Sequence, residues 1–368
     1  MNPQEQFCPN EACADRGKIG SGNIVSQSQK EKRCKCTTCG KTFSITKGTA
    51  VYGLKKEASL FMTVITLLAF GCPVQAIVMA FGLDERTVRA WLLKAGSQSQ
   101  RVHEQVIGHS QLDLEQVQAD EIKVKTQRGT IWMALALMVS TRLWLGGVIS
   151  PRRDTALISE LVDQIRAVAL CRPLLLAVDG LSSYVDAFRK AFRTPLHLGQ
   201  RGRPRLIAWD TIYIVQVIKR RTSDGLTIQR RIVQGCETAI AHLLQRSQAG
   251  GVINTAFIER LNATFRQRLA GLTRRTRTLA HKAETLQAGM FLVGTVYNFC
   301  SPHKSLRVKL WIGERRYRWV QRTPAMAAGL TDHCWTVAEL MGFKLVPSPY
   351  VPPKRRGPRP KRLLEALS

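Results

Sequence analysis

The sequence predicts a mixed α/β protein in which two small units precede a larger α/β domain. Residues 1–50 are rich in Cys, Gly, Ser and Lys without helical periodicity, and residues 55–100 show helical spacing. From 113 to 300, apolar strand-like runs alternate with helical segments, which is typical of an α/β domain. We therefore expect four regions, at residues 1–50, 51–105, 113–310 and 311–368, the last being irregular with a basic tail.

The charge balance points to a polyanionic partner. Lys and Arg number 55 against 26 Asp and Glu, which gives a formal net charge of +29. A charge of this size repels itself unless a polyanion, a membrane surface or solvent ions neutralise it. Phosphate binding releases counterions, so nucleic acid is the first candidate partner. Hydrophobic residues make up 45% of the chain, enough to bury real cores and to exclude a disordered protein.

A membrane location is disfavoured. The most apolar stretch, residues 131–149, carries Arg142 near its middle, and Arg at the centre of a spanning helix costs about 2.5–3.5 kcal/mol on insertion scales. The N-terminus has no apolar signal core, so we expect a cytoplasmic protein. Ten cysteines in such a chain favour thiols and metal ligands over a disulfide framework.

Cysteines near the N-terminus have the spacing of a zinc site. Cys36 and Cys39 form a Cys-x-x-Cys turn followed by Gly, which lets two thiolates face one metal. Cys8 and Cys13 could supply the other two ligands across a hairpin, and Cys34 is a surplus thiol that could compete with Cys36. Unrelated thiols in a reducing compartment are the alternative. We favour Zn²⁺, because a fifty-residue unit without a core needs such a staple.

A helix-turn-helix is predicted next. Residues 73–81 can form one helix, with Gly82 as the turn and Asp84 as the N-cap of a second helix. The residues spaced to face inward on the second helix are Val88, Trp91 and Leu92. The candidate DNA-contacting residues off that stripe or at the helix start are Arg86, Thr87, Arg89 and Lys94. The alternative is an ordinary helical hairpin with a solvated charged face.

The larger domain is predicted to begin with three strands, followed by a helix and a fourth strand. The three strands are expected at residues 117–125, 131–139 and 143–149, the helix at 155–169 and the fourth strand at 174–178. This order is the opening of a ribonuclease-H-like fold, in which Asp120 and Asp179 would lie on neighbouring strands and could share a metal. Glu121 is a rival to Asp120, and Asp179 before Gly could be only a turn former.

A third acid, Glu259, is expected on a helix over residues 253–266. Arg266 lies two turns further along and shares its face, so the acid could hold a metal while Arg266 grips the adjacent phosphate. The alternative is a surface ion pair of Glu259 with Arg260 or Arg266. Further basic residues follow before the next acid, namely Arg268, Arg274, Arg275, Arg277 and Lys282.

Three such carboxylates suit phosphoryl transfer on nucleic acid. Two Mg²⁺ ions about 3.5–4 Å apart stabilise the attacking and leaving oxygens, and Mg²⁺ prefers carboxylates with water and phosphate. Asp120 would bridge the ions, and Asp179 and Glu259 would each hold one. Between the last two acids, strand-like runs joined by a turn at 222–225 predict a basic hairpin within 206–235, either a DNA-gripping arm or a solvated hairpin.

The chain resembles insertion-sequence transposases of the DDE type with a zinc-ribbon and helix-turn-helix head. The resemblance covers roughly residues 8–342, and the helix around Glu259 with its Tyr-Asn-Phe sequel is its most specific part. The matching segments are CTTCGKTF (36–43), DE (120–121), VDG (178–180), NTAFIERLNATFR (254–266), YNFCSPHKSL (297–306) and RTPAMAAGLTD (322–332).

The resemblance implies DNA transposition. Such an enzyme binds the terminal inverted repeats of its element, hydrolyses a phosphodiester to expose a 3′-OH and joins that hydroxyl to target DNA. Asp120, Asp179 and Glu259 would be the Mg²⁺-binding (or Mn²⁺-binding) acids. Double-stranded DNA would be the partner, a homo-oligomer would hold two ends, and the protein would lie on a prokaryotic nucleoid.

Two departures from the family pattern stand out. The first cysteine pair is spaced by four residues instead of two, and the long interval between the last two acids would make 206–235 an insertion. A non-catalytic DNA-binding regulator, an inactive transposase copy and a nuclease that cuts without joining are the alternatives. The tail from 354 to 362, with six basic and no acidic residues, favours phosphate contact without specificity.

Overall fold

The computed structural model describes residues 2–127, 129–196, 202–223, 225–272, 282–313, 316–347 and 349–351. The chain divides into two compact units, one formed by Met1–Gly53 with the chain from Lys344 onward and the other by Leu54–Phe343. The four-region division made from the sequence stays a prediction. No helix in the described part of the chain is long and apolar enough to cross a bilayer.

The smaller unit is built on a three-stranded antiparallel sheet in the order β1-β2-β3. Its strands are β1 (Ile24–Ser28), β2 (Arg33–Cys36) and β3 (Thr42–Ser44). Its hydrophobic cluster consists of four buried cysteines with Ile24 and Phe43, so little apolar surface is available to stabilise it. Lys344 donates a hydrogen bond to Gln6, and its ammonium lies 5.3 Å from the ring centroid of Phe7.

Helices α1 (Ala58–Ala69), α2 (Val74–Phe81) and α3 (Glu85–Val106) begin the larger unit. The predicted helix, turn and cap are confirmed: α2 ends at Gly82 with φ +59°, and the Asp84 side chain accepts the Arg86 N–H at 2.7 Å. The helix α1 was not part of the predicted pair. Val88 and Trp91 are buried as the spacing predicted, and α3 then runs on for several turns.

A six-stranded mixed sheet forms the centre of the larger unit, in the order β11-β10-β7-β4-β5-β6. β4 pairs in parallel with β7, which pairs in parallel with β10, and the other neighbours are antiparallel. A separate pair, β8 and β9, precedes β10. The strands are β4 (Gln116–Thr126), β5 (Gly129–Met138), β6 (Trp144–Ser150), β7 (Leu174–Val178), β8 (Arg193–Leu196), β9 (Arg205–Ala208), β10 (Ile212–Thr222) and β11 (Gly225–Gln234).

The hairpin expected to be an insertion belongs to this sheet. β10 and β11 form the predicted antiparallel pair, but β10 also pairs with β7 from Ile212 to Gln216. Ile214 and Val215 are both buried, on opposite faces of the sheet. A strand with two buried faces needs cover on both sides, so this part of the hairpin lies in the core and only its outer part projects as an arm.

Helices cover both faces of the sheet. α4 (Thr155–Val168) and α5 (Ser182–Ala191) pack on one face, and α6 (Glu237–Gln248), α7 (Ala256–Arg268) and α8 (Ala283–Thr295) pack on the other. The chain after α8 continues through a short π-helical turn. The remaining elements are β12 (Val308–Trp311), β13 (Tyr317–Val320), α9 (Pro324–Ala327) and α10 (Val337–Gly342).

Close helix packing at Gly96 yields a first prediction. A Cβ placed on Gly96 of α3 would lie 2.5 Å from the Cα of Ala288 on α8. Gly96→Ala should therefore force the helices apart and lower the free energy of unfolding by about 1–3 kcal/mol, although Ala favours helices. Denaturant unfolding measures this. The control is Ser97→Ala on the exposed side of α3; an equally stable Gly96→Ala variant would contradict the packing.

Candidate metal centres

Four cysteine sulfurs cluster in the smaller unit. The Sγ atoms of Cys8 and Cys39 are 3.6 Å apart, those of Cys13 and Cys36 are 3.8 Å apart, and all four lie within 4.8 Å of one another. Zinc binds thiolate at about 2.3 Å in tetrahedral geometry, which places its sulfur ligands roughly 3.8 Å apart. The cluster therefore has the size and the donor set that a structural zinc site requires.

The local backbone explains how these cysteines meet. Gly40, directly after Cys39, has φ +68° and donates its N–H to the Cys36 carbonyl at 2.8 Å, which closes the Cys-x-x-Cys turn. On the other side, Gly17 donates to the Cys8 carbonyl at 3.1 Å. Burial raises the pKa of the Cys8 thiol. A cation at the centre would offset this effect, because metal binding requires thiolates.

Cys34 lies outside the four-sulfur group. It is buried on β2, two residues before Cys36, and burial raises the pKa of its thiol. The geometry thus favours Cys36 over Cys34 as the ligand, an alternative that the sequence had left open.

The second cluster is acidic and begins with the register of two parallel strands. Gln118 of β4 pairs with Ala177 of β7. Continuing this register brings Asp120 level with Asp179, which directly follows β7. Oxygen atoms of Asp120, Glu121 and Asp179 lie within 4.8 Å of one another. The expected meeting of Asp120 and Asp179 is thus present in the structure, and Glu121 joins them.

Arg153 bridges two of these acids. Its Nη2 donates to Glu121 Oε2 at 2.7 Å and to Asp179 Oδ2 at 3.0 Å, and its Nε donates to the same Glu121 oxygen at 3.0 Å. The Glu121 side chain is only 1% exposed. Its other oxygen, Oε1, is buried, and the buried Tyr184 hydroxyl interacts with this carboxylate. Arg153 and Tyr184 thus both hold the Glu121 side chain.

Glu259 reaches the same cleft from α7 because Gln118 holds the start of that helix. The Gln118 side-chain oxygen accepts the backbone N–H groups of Phe257 at 3.1 Å and Ile258 at 3.0 Å, and its amide nitrogen donates to the Asn254 carbonyl at 2.7 Å. One turn beyond Glu259, Asn262 donates to Asp120 Oδ2 at 2.8 Å. The helix is therefore fastened to β4 on either side of the acid.

The Glu259 carboxylate lines the cleft but lies outside the group of three oxygen donors. It accepts a hydrogen bond from Thr255 at 2.6 Å and pairs with Lys219 of β10. The cleft has a volume of about 860 Å³. Its lining residues include Asp120, Asp179, Gly180, Lys219, Glu259 and Arg266. Glu259 and Arg266 thus face the same space, as their spacing on the helix predicted.

Burial and like charge set the electrostatics of the cleft. Burial first, and then the carboxylates of Glu121 and Asp179, raise the pKa of Asp120 from its ordinary value of 3.8 to about 6. Burial acts in the same direction on Glu259, but the hydrogen bonds from Lys219 and Thr255 outweigh it and lower the pKa of that carboxyl. An added cation would therefore stabilise the ionised form of Asp120, which burial and the neighbouring acids disfavour.

The predicted DNA-contacting residues are dispersed in the structure. On α3, Arg86 is exposed, Thr87 is half-buried and Arg89 is exposed but paired with Glu85 at 2.5 Å. Lys94 is half-buried, and burial lowers its pKa. Arg86 is thus the best placed of the four for an outside contact. Arg274, Arg275 and the tail from 354 to 362 lie outside the described residues.

No known family model matches the chain, and no curated protein matches it either. What can be said of the site therefore rests on its geometry. The described residues provide a cluster of four thiols and a cluster of three carboxylates, each of which could hold a metal ion. Glu259 stands beside the second cluster in the same cleft.

Sequence reasoning missed the residues that arrange the acids. Gln118 had a visible signal, because Gln116, Gln118 and Asp120 are alternate polar residues in the first half of β4, with the apolar Val117 and Ala119 between them. Their alternation places all three on the face that α6 and α7 cover. Arg153 and Lys219 had no comparable signal, since each meets its acid only through contacts between distant segments.

The thiol cluster predicts selective loss of zinc. Cys39→Ser should abolish stoichiometric zinc, because three thiolates and a hydroxyl form a much weaker site, whereas Cys34→Ser should retain it. Metal analysis of the purified proteins after dialysis measures the zinc content per chain. Retention by the Cys39 variant, or loss only in the Cys34 variant, would show that the ligand set is different.

The raised pKa of Asp120 predicts a pH-dependent penalty. The folded protein binds this proton more tightly than the unfolded chain does, so ionised Asp120 destabilises the fold above pH about 6, and the penalty fades as the pH falls towards 3.8. Asp120→Asn should therefore stabilise the metal-free protein by about 2 kcal/mol at pH 7.5 and by little at pH 4.

Thermal or urea unfolding of wild type and Asp120→Asn at both pH values measures the difference. Exposed Asp186→Asn on α5 is the control and should be neutral. Mg²⁺ should stabilise wild type more than Asp120→Asn, because the ion binds only the folded site. A stability difference that does not change with pH would contradict the repulsion among the acids.

Proposed function

We propose that this protein is a DDE-type DNA transposase. It would bind the terminal inverted repeats of a mobile element, cleave at the element ends and join the exposed 3′-OH to target DNA. Its proposed metals are Mg²⁺ or Mn²⁺ at the acidic cleft and Zn²⁺ at the four cysteines. Its proposed partners are double-stranded DNA and further copies of itself, since two ends must be held at once. Its proposed location is the nucleoid of a prokaryotic cell.

One observation carries the proposal. Asp120, Asp179 and Glu259 come from β4, the end of β7 and α7, yet they line one open cleft together with Lys219 and Arg266. Carboxylates at the centre of a basic surface would repel a phosphate chain unless cations stood between them. A protein that only binds DNA gains nothing from that arrangement, whereas metal-assisted phosphoryl transfer depends on it.

The sheet supports the same reading. The strand order β6-β5-β4-β7-β10, with only β5 antiparallel to the rest, is the arrangement expected of a ribonuclease-H-like domain, and β11 extends it at one edge. The acids lie on its two central strands and on a helix against its face. This likeness of topology is an argument about fold, and the chemistry still has to be argued from the site.

The side chains divide the proposed work among them. Bound Mg²⁺ would supply charge neutralisation at the attacking and leaving oxygens. Asp120 and Asp179 offer oxygens close enough to share an ion, and the buried Glu121 oxygen stands beside them. Arg153 fixes the direction of the Asp179 carboxylate through its bond to Oδ2, and Leu181 holds the other oxygen by a backbone N–H at 3.0 Å.

Lys219 neutralises Glu259 in the absence of substrate. If a metal ion replaced the Lys219 ammonium as the partner of Glu259, the lysine would be free to bind a DNA phosphate. Arg266 lines the same wall. The cleft thus offers acids for the ions and cations for the strand that they act on, which is the pairing that phosphoryl transfer on DNA requires.

A cleavage and joining assay tests the proposal. The substrate is a labelled duplex carrying the element end, with Mg²⁺ and the purified full chain. Asp179→Asn and Glu259→Gln should each lower cleavage by at least about 10²-fold, the order expected when charge stabilisation in the transition state is lost, while end binding survives. Asp186→Asn, an exposed acid on α5, should keep full activity.

Three results would count against the proposal. Tight binding of the duplex end without metal-dependent cleavage would favour a regulator or an inactive copy. Cleavage without strand joining would favour a nuclease. Full cleavage by Glu259→Gln would show that the third acid lies elsewhere, with Glu121 as the next residue to substitute.

A further inference from the structure

The hairpin β12–β13 presents an uncovered aromatic face. Lys309 pairs with Trp319 and Trp311 pairs with Tyr317 across the two strands. Residues two apart on a strand point to the same side, so one face of this small sheet carries three aromatic rings and a lysine. Trp311 is 60% exposed and Tyr317 is 48% exposed. None of the described residues of the two strands is buried.

The rings form a connected row. The ring centroids of Trp311 and Tyr317 are 5.5 Å apart, and those of Tyr317 and Trp319 are 5.9 Å apart. Cations stand among them: the Lys309 ammonium lies 4.7 Å from the Tyr317 centroid, and the Arg307 guanidinium lies 4.1 Å from that of Trp319. Trp311, at the end of the row, keeps the largest open ring surface.

The charge of the segment limits what can cover this face. Residues 302 to 322 hold seven Lys and Arg against one acid, Glu314. The basic residues are Lys304, Arg307, Lys309, Arg315, Arg316, Arg318 and Arg322. A second copy of this hairpin would be repelled, and an ordinary apolar partner would leave the cations without counterions. The partner that matches both features is a polyanion that also offers flat apolar rings.

We propose that the β12–β13 hairpin binds unpaired DNA nucleotides, with bases stacked on Trp311 and Tyr317 and phosphates on the neighbouring cations. Duplex DNA does not fit as well, because its bases already stack on each other and show only their edges. Base stacking on aromatic side chains, combined with basic residues along the backbone, is the general way in which proteins hold single strands. The assignment goes beyond the proposed catalytic function and needs none of the three acids.

The site has a clear use if the protein cleaves DNA. Strands that separate near a cut leave bases without partners, and a stacking surface would hold them in place. Binding itself requires neither metal nor cleavage, so the two proposals can fail independently. Trp311→Ala should weaken single-strand binding by the same factor in the wild-type and Asp179→Asn backgrounds, whatever the outcome of the cleavage assay.

The experiment compares two labelled single strands of equal length, a twelve-nucleotide oligo(dT) and an abasic strand with the same number of phosphates. Fluorescence anisotropy on the full chain, without added Mg²⁺, measures both affinities over a salt series. Trp311→Ala should weaken oligo(dT) binding by about 5–100-fold and should leave the abasic strand within about 2-fold. The slope of log affinity against log salt should not change, since no charge is lost.

Control variants separate stacking from charge and from folding. Leu310→Ala removes an exposed apolar side chain from the opposite face of the same hairpin and should leave both affinities unchanged. Trp311→Phe should restore most of the oligo(dT) affinity. Lys309→Ala should weaken both strands and reduce the salt slope by about 0.7, the value for one phosphate contact on a single strand.

Several outcomes would overturn the assignment. One is an equal loss for oligo(dT) and the abasic strand in Trp311→Ala, and another is a loss in Leu310→Ala as large as that in Trp311→Ala. A larger loss for duplex than for oligo(dT) would indicate insertion between paired bases instead. Weakened binding to vesicles of anionic lipid, with oligo(dT) affinity unchanged, would indicate a membrane surface.

Discussion

The Gln118 side chain joins β4 to the first turn of α7, and the acidic cleft depends on this connection. One amide accepts two backbone N–H groups of the helix and donates to the carbonyl of Asn254. The helix has no side-chain cap of its own at Thr255, so Gln118 satisfies N–H groups that would otherwise be buried without partners. The same contact fixes the height of Glu259 above the strand that carries Asp120. The hydrogen bonds of Gln118 therefore do two things: they satisfy backbone N–H groups of α7, and they position Glu259 in the cleft.

Burial and mutual repulsion of the acids in the cleft destabilise the folded state, and the neighbouring basic side chains reduce this cost. Clustered carboxylates lose hydration and repel one another, which is why the pKa of Asp120 is raised. Arg153 offsets the charge of Glu121 and Asp179, and Lys219 offsets that of Glu259. Such strain is tolerated because the two apolar clusters on either side of the sheet stabilise the unit independently of the acids. Because the carboxylates repel one another, binding of a metal cation in the cleft would be favourable.

The two candidate centres differ in donor atoms because they would serve different purposes. The hydrophobic cluster of the smaller unit contains only Ile24 and Phe43 beside four cysteines, so a metal held by sulfur would supply stability that apolar packing does not. The larger unit has an extensive core and can hold carboxylates in an open cleft. The net charge of +29 suits the polyanionic partner that we propose.

The sequence by itself determined the elements whose signals are local. Alternating polar and apolar residues indicated β4, apolar runs indicated β5 and β6, the Cys-x-x-Cys-Gly spacing indicated the thiol cluster, and Asp84 after Gly82 indicated a helix start. Only the tertiary structure decided that β10 enters the central sheet, that Cys34 stands apart, and that Arg153 and Lys219 neutralise the acids. The physical reason is distance along the chain: periodicity and caps depend on neighbouring residues, whereas strand order and ion pairs depend on which distant segments the core brings together.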